Sequence, residues 1–155
     1  MSAIDSRMDF FEVGDKTSLI CADTGVGEVV RSTLRELGFK FHIAETSETA
    51  VERTRYNAYD VIVIQENFAG NTLKSNVVLN YLATLPMAQR RSSLVVLIGS
   101  GFKSLDAMQA FSYSVQLVVN TMDLPNFTAI LKKSVAEFQN LYKVYKDVVA
   151  SLAVG

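Results

Sequence analysis

The chain has 155 residues, of which 49% are hydrophobic and 20% are charged, which is typical of a single globular domain. Fifteen Lys and Arg against sixteen Asp and Glu give a net charge of −1, so the basic excess of a general nucleic-acid binder is missing. One Cys and one His exclude a disulfide framework, a cysteine-based zinc site and a histidine-rich metal site. The longest uncharged run, residues 107–122, is interrupted by polar residues and is too short to span a membrane. Because residues 1–16 also lack the apolar stretch of a secretion signal, we expect a cytoplasmic protein.

Short apolar runs bounded by turn residues indicate strands that are buried on both faces of a parallel sheet. Such runs occupy residues 18–22, 39–44, 60–64, 93–98 and 116–119. Between them, helical spacing of apolar residues predicts helices over residues 26–37, 48–56, 73–85 and 104–112, and a long helix from Asp123 onward. We expect Asp123 to cap this last helix, because Pro125 then falls in its first turn, where a missing N–H costs little. Five strands alternating with five helices predict a doubly wound α/β sheet.

The stretch LRELGFKFHIAETSETAVERTRYNAYDVIVIQ, residues 34–65, resembles the receiver domain of bacterial response regulators. It contains a Leu-x-x-x-Gly helix end, Ala44 at the close of the second strand, the small Ala50 in the second helix, and Tyr59 and Asp60 before the third strand. The resemblance covers residues 17–142. It implies the flavodoxin-like strand order 2-1-3-4-5, with a functional pocket at the carboxyl ends of the strands.

A phosphorylated receiver has an acidic pair after the first strand, an acceptor Asp ending the third, Ser or Thr after the fourth and Lys after the fifth. The resemblance assigns these positions to the residues that we call the vestigial pocket: Ala22, Asp23, Gln65, Ser100 (or its neighbour Gly99) and Asn120. An amide cannot form an acyl phosphate, and one carboxylate beside an amide is a poor Mg²⁺ site. The resemblance therefore implies a degenerate pseudo-receiver with no catalytic residue, cofactor or metal ion.

Two other interpretations of the same loops stay open, although we rank both lower. Gly25 and Gly27, with Glu45 at the end of the second strand, resemble part of a dinucleotide fingerprint, but Val30 stands where its third glycine would be. The carboxylates of Asp23, Glu45 and Glu66 could also attract a cation, which would require their ligand atoms to converge.

The single His and the single Cys both fall on predicted strands. We expect His42 to be partly exposed on an edge strand, where it is no candidate for a catalytic base. We expect Cys21 to be a buried, unreactive residue, because nothing near it in sequence would lower its thiol pKa.

Apolar residues of the last helix recur at alternating steps of four and three from Leu124 to Leu152, which is a heptad pattern of about four repeats. Packing on the sheet accounts for the part up to Gln139. The residues beyond it need another surface, because an isolated helical extension is marginal in water. We therefore predict an interface, most simply in a homodimer, made by Leu131, Val135, Phe138, Tyr142, Tyr145, Val149 and Leu152.

These observations divide the chain into a polar leader (residues 1–16), a receiver-like domain (17–139) and an extension of the last helix (140–155). The resemblance implies a non-catalytic protein-interaction module of bacterial signal transduction. Its candidate surfaces are the extension and the face of the fourth helix, fifth strand and fifth helix, with Leu105, Met108 and Phe111 on the fourth helix, some of which must face the sheet. The alternatives are a domain that senses a small ligand in the vacated pocket and a nucleotide- or flavin-binding protein of flavodoxin-like fold.

Overall fold

The computed structural model describes residues 11–154 and contains a five-stranded, entirely parallel sheet. Its strands are β1 (Lys16–Cys21), β2 (Phe39–Ile43), β3 (Val61–Gln65), β4 (Leu94–Gly99) and β5 (Leu117–Asn120). Their order across the sheet is β2-β1-β3-β4-β5. This is the predicted flavodoxin-like order, and the predicted α/β fold is confirmed.

Five α-helices cover the two faces of the sheet. They are α1 (Thr24–Glu36), α2 (Ser47–Tyr56), α3 (Val77–Ala83), α4 (Ala107–Ser112) and α5 (Phe127–Val154). A helical turn at Met87–Arg90 follows Pro86, and short 3₁₀ segments lie at Phe68–Gly70 and Thr121–Asn126. The side chains that precede the first four helices each accept a backbone N–H of the first turn, which satisfies donors that the helix itself cannot pair; these caps are Asp23, Thr46, Asn76 and Asp106.

Alternate residues along each strand supply two apolar cores, one on each face of the sheet. On one face, Leu19 and Ile62 pack with residues of α2, α3 and α4. On the other face, Ile20 and Val63 pack with α1 and with the first turns of α5, where Phe127 is fully buried. Because β3 is buried on both faces, its side chains form an uninterrupted apolar run that ends in Gln65.

Three helices start three or four residues later than predicted, and one of them, α4, begins at Ala107 instead of residue 104 because Asp106 caps it. The predicted helix over residues 73–85 begins only at Val77, because the buried side chain of Asn76 caps it. The last α-helix does not start at Asp123: Pro125 lies in the 3₁₀ segment, which Asn120 caps by accepting the Met122 N–H. The carboxylate of Asp123 instead accepts a hydrogen bond from the Ser104 hydroxyl.

The expectation that His42 would be partly exposed is wrong. Its side chain is buried, its Nδ1 lies 2.6 Å from the hydroxyl of Tyr59, and its ring stacks on Phe11 at a centroid distance of 4.1 Å. Phe11 comes from the segment before β1 and covers the edge strand, which the local sequence of β2 could not reveal. The remainder of the predicted leader, residues 1–10, lies outside the described residues. Cys21 is fully buried as expected, and this burial raises the pKa of its thiol.

None of the helices in the described range, residues 11–154, is both long and apolar enough to cross a membrane.

Candidate functional site

The carboxyl ends of β1 and β3 are joined by a reciprocal pair of hydrogen bonds. The backbone N–H of Asp23 donates to Oε1 of Gln65 at 2.8 Å, and Nε2 of Gln65 donates to Oδ2 of Asp23 at 2.9 Å. The other carboxylate oxygen, Oδ1, accepts the Val26 N–H at 2.9 Å and so caps α1. The Val26 N–H, followed by the Gln65 amide, holds the pKa of Asp23 below its ordinary value. Gln65 is buried, so its amide completes this network within the domain.

The residues in this half of the vestigial pocket do not fit a magnesium ion. Mg²⁺ requires oxygen ligands in nearly octahedral array. The side chain of Ala22 has no oxygen, the amide of Gln65 is used within the domain, and both oxygens of Asp23 already accept hydrogen bonds. Nowhere in residues 11–154 do three or more His, Cys, Asp or Glu side chains come together as a metal site would require.

The carboxyl end of β4 is covered by the side chain of Glu66. Oε1 of Glu66 accepts the backbone N–H of Ser100 at 3.2 Å and its hydroxyl at 3.3 Å. A β-carbon added at Gly99 would lie 2.5 Å from Oε2 of Glu66 and 2.7 Å from Cε2 of the buried Phe102. Glycine at position 99 therefore makes the space that the Glu66 carboxylate occupies. The Ser100 hydroxyl, the candidate for the receiver hydroxyl position, donates to that carboxylate.

Asn120 ends β5 and fastens the loop between β4 and α4. Its Nδ2 donates to the carbonyls of Phe102 at 2.6 Å and Ser100 at 3.3 Å, and its Oδ1 accepts the Met122 N–H at 2.8 Å. The backbone N–H of Asn120 donates to the Ser104 hydroxyl at 2.8 Å. A neutral amide thus holds the loop at the position where the resemblance implies a lysine.

Asn76, a residue that no sequence motif marked as part of the site, binds the loop after β3 through its side chain. The side chain of Asn76 is fully buried, and its Nδ2 donates to the carbonyls of Gln65 and Glu66, both at 3.1 Å. Its Oδ1 accepts the Leu79 N–H at 3.0 Å. A polar residue that precedes an apolar helical stretch is a recognisable cap signal. Its contact with β3 is tertiary and leaves no local signature.

An open cavity of about 750 Å³ lies beside Asp23, on the side of β2. Arg31, Glu45 and the 3₁₀ segment after β3 contribute to its walls, whereas Gln65, Ser100 and Asn120 do not line it. The Asp23 carboxylate occupies the amino terminus of α1, where a dinucleotide-binding protein would place a phosphate. The partial glycine fingerprint at Gly25 and Gly27 is therefore combined with a negative charge that opposes phosphate binding.

Comparison with solved structures shows which fold this is. A response regulator from Chloroflexus aurantiacus, described as putative, is 15% identical, with a TM-score of 0.62 over 79% of this chain and 98% of its own. The receiver domain of the Pseudomonas aeruginosa sensor histidine kinase PA1611, which holds a coordinated magnesium ion, is also 15% identical, with a TM-score of 0.59 over 79% of this chain and 99% of its own. The chain has the receiver fold.

A third similar structure is a fusion that contains residues 181–211 of the trimeric coiled coil of yeast Spc42. It is 17% identical and has a TM-score of 0.59 over 93% of this chain and 95% of its own. No family model and no curated protein matches the sequence. The similarity of this chain to known proteins therefore rests on its three-dimensional fold.

The first half of α5 belongs to the core of the receiver fold, which corrects part of the predicted interface. Leu131 has no exposed surface and packs against α1 and the sheet, so it is not available to a partner. Val135 and Phe138 are partly buried against the same core. Tyr142 is half-buried and lines a groove with Asp60, so the prediction that it would lie beyond the domain is wrong as well.

The second half of α5 exposes a continuous set of apolar side chains, which we call the extension stripe. Three of its residues belong to the predicted interface, namely Tyr145, Val149 and Leu152. The other three, which the predicted interface did not include, are Leu141, Val144 and Val148. The guanidinium of Arg91, in the turn before β4, lies 5.4 Å from the ring centroid of Tyr145. Asp147 lines the same groove as Asp60, which lies at the amino end of β3. The extension therefore runs past the edge of the sheet at which the strands begin.

A second apolar surface of this receiver fold lies on α4 and the loop just before it. Leu105, Met108 and Phe111 are all exposed, and we call them the α4 patch. The expectation that some of them would face the sheet is wrong, because α4 is short and buries Ala110 there instead. Met122, just after β5, is exposed as well.

Proposed function

We propose that this chain is a phosphorylation-independent pseudo-receiver that acts in the bacterial cytoplasm as a protein-interaction module. The reciprocal hydrogen bonds between Asp23 and Gln65 carry this proposal. They use the polar atoms that in a phosphorylated receiver would meet the metal ion and the phosphoryl group. Asn120 supplies no cation to balance a phosphoryl charge, and its amide is used by the loop after β4. This arrangement supports a fixed conformation of the domain and assigns it no catalytic step.

The surface that we assign to an interaction is the extension stripe, and the partner we favour is a second copy of this chain. Leu141, Tyr145, Val148 and Leu152 follow steps of four, three and four, which is the spacing of a self-complementary helical seam. The positions beside this seam, Val144 and Val149, are apolar and not charged, so the stripe is wide enough to contact more than one neighbouring helix. The similarity to a chain fused to a coiled coil is compatible with this assignment.

The solution mass tests the interaction directly. We expect the full chain to have the mass of a dimer at tens of micromolar, which is roughly the range in which a weak dimer forms. The double variant Tyr145→Glu/Val149→Glu should have the mass of a monomer and an unchanged circular dichroism spectrum, because buried like charges oppose pairing. A monomeric parent chain at these concentrations would refute the homodimer.

The matched control carries the same two charges on the opposite side of the helix. Ala136 and Ala150 are exposed and, at about 100° per residue, lie on the side of α5 away from the stripe. The variant Ala136→Glu/Ala150→Glu should therefore keep the mass of the parent. Loss of the dimer in this control as well would show that added charge alone, and not the stripe, decides the association.

The pocket itself is tested with a phosphoryl donor. Incubation with acetyl phosphate and Mg²⁺ should add no mass to the chain, because Gln65 has no carboxylate to accept a phosphoryl group. A stoichiometric, acid-labile adduct would refute the pseudo-receiver assignment, whatever the oligomeric state.

The cavity beside Asp23 favours a second candidate function, the sensing of a small ligand. The carboxylates of Asp23 and Glu45 line it, and the guanidinium of Arg31 in its wall is paired with Glu28. The ligand would therefore be neutral or cationic. A thermal-shift screen should find a stabilising compound whose effect is lost in Glu45→Gln. A screen of nucleosides, amines and sugars with no such compound would leave the interaction module as the proposed function.

A further inference from the structure

A second cavity lies at the opposite end of the sheet from the vestigial pocket. It has a volume of about 360 Å³ and is located between the end of α2, the end of α3 and the turns that precede β4 and β5. This volume is at the lower end of the range for small-molecule sites, roughly 300 to 1,000 Å³. It is suited to a ligand with one or two rings.

The wall of this cavity combines an apolar floor with positive charge. The floor contains the buried side chains of Ile62, Leu82 and Val95. Arg55 and Arg90 also line the cavity, whereas none of its lining residues is acidic. The two ion pairs in the described part of the chain involve other residues, so no carboxylate there neutralises either arginine. The cavity is therefore apolar inside and cationic at its wall.

Three side chains at the cavity, those of Arg55, Arg90 and Gln116, offer hydrogen-bond donors. The guanidinium of Arg55 lies 5.8 Å from the ring centroid of Tyr81, which holds it against one wall. Within residues 11–154, the guanidinium of Arg90 makes one long hydrogen bond, at 3.7 Å to the sulfur of Met87. Oε1 of Gln116 accepts the Val95 N–H at 2.7 Å, and this bond fixes the orientation of the amide so that its NH₂ group remains as a donor.

The helix ends near the cavity add little opposing charge. The carboxyl terminus of a helix carries partial negative charge on its unpaired carbonyls. At the end of α2, the carbonyl of Arg53 accepts both the backbone N–H and Nδ2 of Asn57, each at 3.0 Å. At the end of α3, the carbonyl of Tyr81 accepts the backbone N–H and the hydroxyl of Thr84. These two carbonyls are already paired, and the charged side chains that line the cavity, Arg55 and Arg90, are both cationic.

We propose that this cavity binds a small organic anion that has a flat apolar body and one terminal carboxylate. The body would lie on Ile62 and Val95, and the carboxylate would accept hydrogen bonds from Arg55 and Arg90, whose forked donors match its two oxygens. This site is separate from the extension stripe and does not depend on the interaction proposed above.

The test compares 2-naphthoate with its neutral isostere, 2-naphthamide, by titrating the full chain and following amide resonances by NMR. With about thirteen non-hydrogen atoms, 2-naphthoate should bind with a Kd of about 1 mM or tighter. We expect it to bind at least about tenfold more tightly than the amide, which corresponds to one charge-assisted contact. The perturbed resonances should be those of Ile62, Val95 and their neighbours.

The double variant Arg55→Gln/Arg90→Gln should abolish the preference for the anion. The matched control Lys132→Gln/Lys133→Gln removes the same net charge from exposed positions of α5 and should keep it. Circular dichroism establishes that both variants are folded. Three results would overturn the proposal: no binding at about 10 mM, equal affinities for the two probes, or perturbations that map to the α4 patch or the extension stripe.

Discussion

The pocket at the carboxyl edge of the sheet and the second half of α5 differ in whether their side chains have partners within the domain. At the carboxyl edge of the sheet, the side chains of Asp23, Gln65, Glu66 and Asn120 pair with one another or with the backbone. Along the second half of α5, the extension stripe exposes apolar side chains to water, and of these Tyr145 also has a contact with Arg91. The pocket satisfies its hydrogen bonds within the domain, whereas the extension leaves apolar surface to be covered. The same receiver fold thus has a polar pocket whose groups are paired within the domain and a long helix whose apolar face is exposed.

The largest difference should come from two leucines on the same helix. Leu131 is 0% exposed and Leu141 is 71% exposed. Leu131→Ala should lower the free energy of unfolding by about 2 to 5 kcal/mol, because it leaves a cavity in the core. Leu141→Ala should change it by less than about 0.5 kcal/mol in urea unfolding at a concentration where the chain is monomeric. A large loss for Leu141→Ala would show that the extension belongs to the core.

The next largest effect should follow from a carboxylate at the position of the pocket amide. Gln65→Asp removes the donor to Asp23 and places two carboxylates side by side, so stability should fall by about 2 kcal/mol at neutral pH. The control is Gln65→Asn, because Asn has the shape of Asp without its charge. The smaller loss of stability in Gln65→Asn, compared with Gln65→Asp, measures the repulsion between the two carboxylates. We also expect no phosphorylation of Gln65→Asp by acetyl phosphate, because Ala22 and Asn120 remain. Efficient phosphorylation would mean that the pocket is misassigned.

A methyl group added at Gly99 should displace the Glu66 side chain from the carboxyl end of β4. In Gly99→Ala the new β-carbon would meet the Glu66 carboxylate and the buried Phe102 ring, so we expect a loss of about 1 to 3 kcal/mol in thermal or urea unfolding. Gly101→Ala is the matched control, since a β-carbon there would meet no atom within 4 Å. Equal stability of the two variants would contradict the described position of Glu66.

The smallest effect concerns the charge of the α1 cap. Asp23→Ala should cost about 1 kcal/mol through loss of the cap. Because the pKa of Asp23 is lowered in the folded state, the stabilisation by its carboxylate is present above the unfolded pKa and is lost as the pH falls through the folded pKa. Asp23→Asn keeps a capping oxygen but does not titrate there. The advantage of the parent over Asp23→Asn, measured by urea unfolding, should therefore begin to shrink as the pH falls below the ordinary carboxyl value of 3.8, and it should disappear once the pH is below the lowered pKa of the folded state. A constant difference across this range would contradict the assignment.

The parallel sheet was predictable from the sequence because buried parallel strands form uninterrupted apolar runs, as at residues 60–64, whereas the strand order was implied by the resemblance to receiver domains. The resemblance assigned Asp23, Gln65 and Asn120 to the pocket, and each of them directly follows such a run. The hydrogen bonds around these residues were not predictable, because they join separate parts of the chain. Asp23 and Gln65 are 42 positions apart, and the contacts of Asn76 with the loop after β3 are also tertiary.

The extension was predictable only in part. The heptad spacing was correct as a pattern, yet spacing alone does not tell which turns of a helix lie against the sheet. Leu131 satisfies the pattern and is buried, whereas Leu141 falls outside it and is exposed. The buried position of His42 had no local signal at all, because Phe11, which covers it, comes from a distant part of the chain.

The course of α5 has a geometrical consequence. The helix begins near the carboxyl edge of the sheet, just after β5, and at Asp147 it has reached the groove that Asp60 lines at the amino edge. With Arg91 placed against Tyr145, the direction of the helix is fixed, and residues 148–154 continue for about 10 Å. In a dimer that pairs two copies of this segment in parallel, the two receiver domains would lie side by side at one end of a short two-helix bundle, and the α4 patch of each domain would stay exposed. A partner with two binding sites would then gain avidity, because its second contact forms at the high effective concentration set by the first.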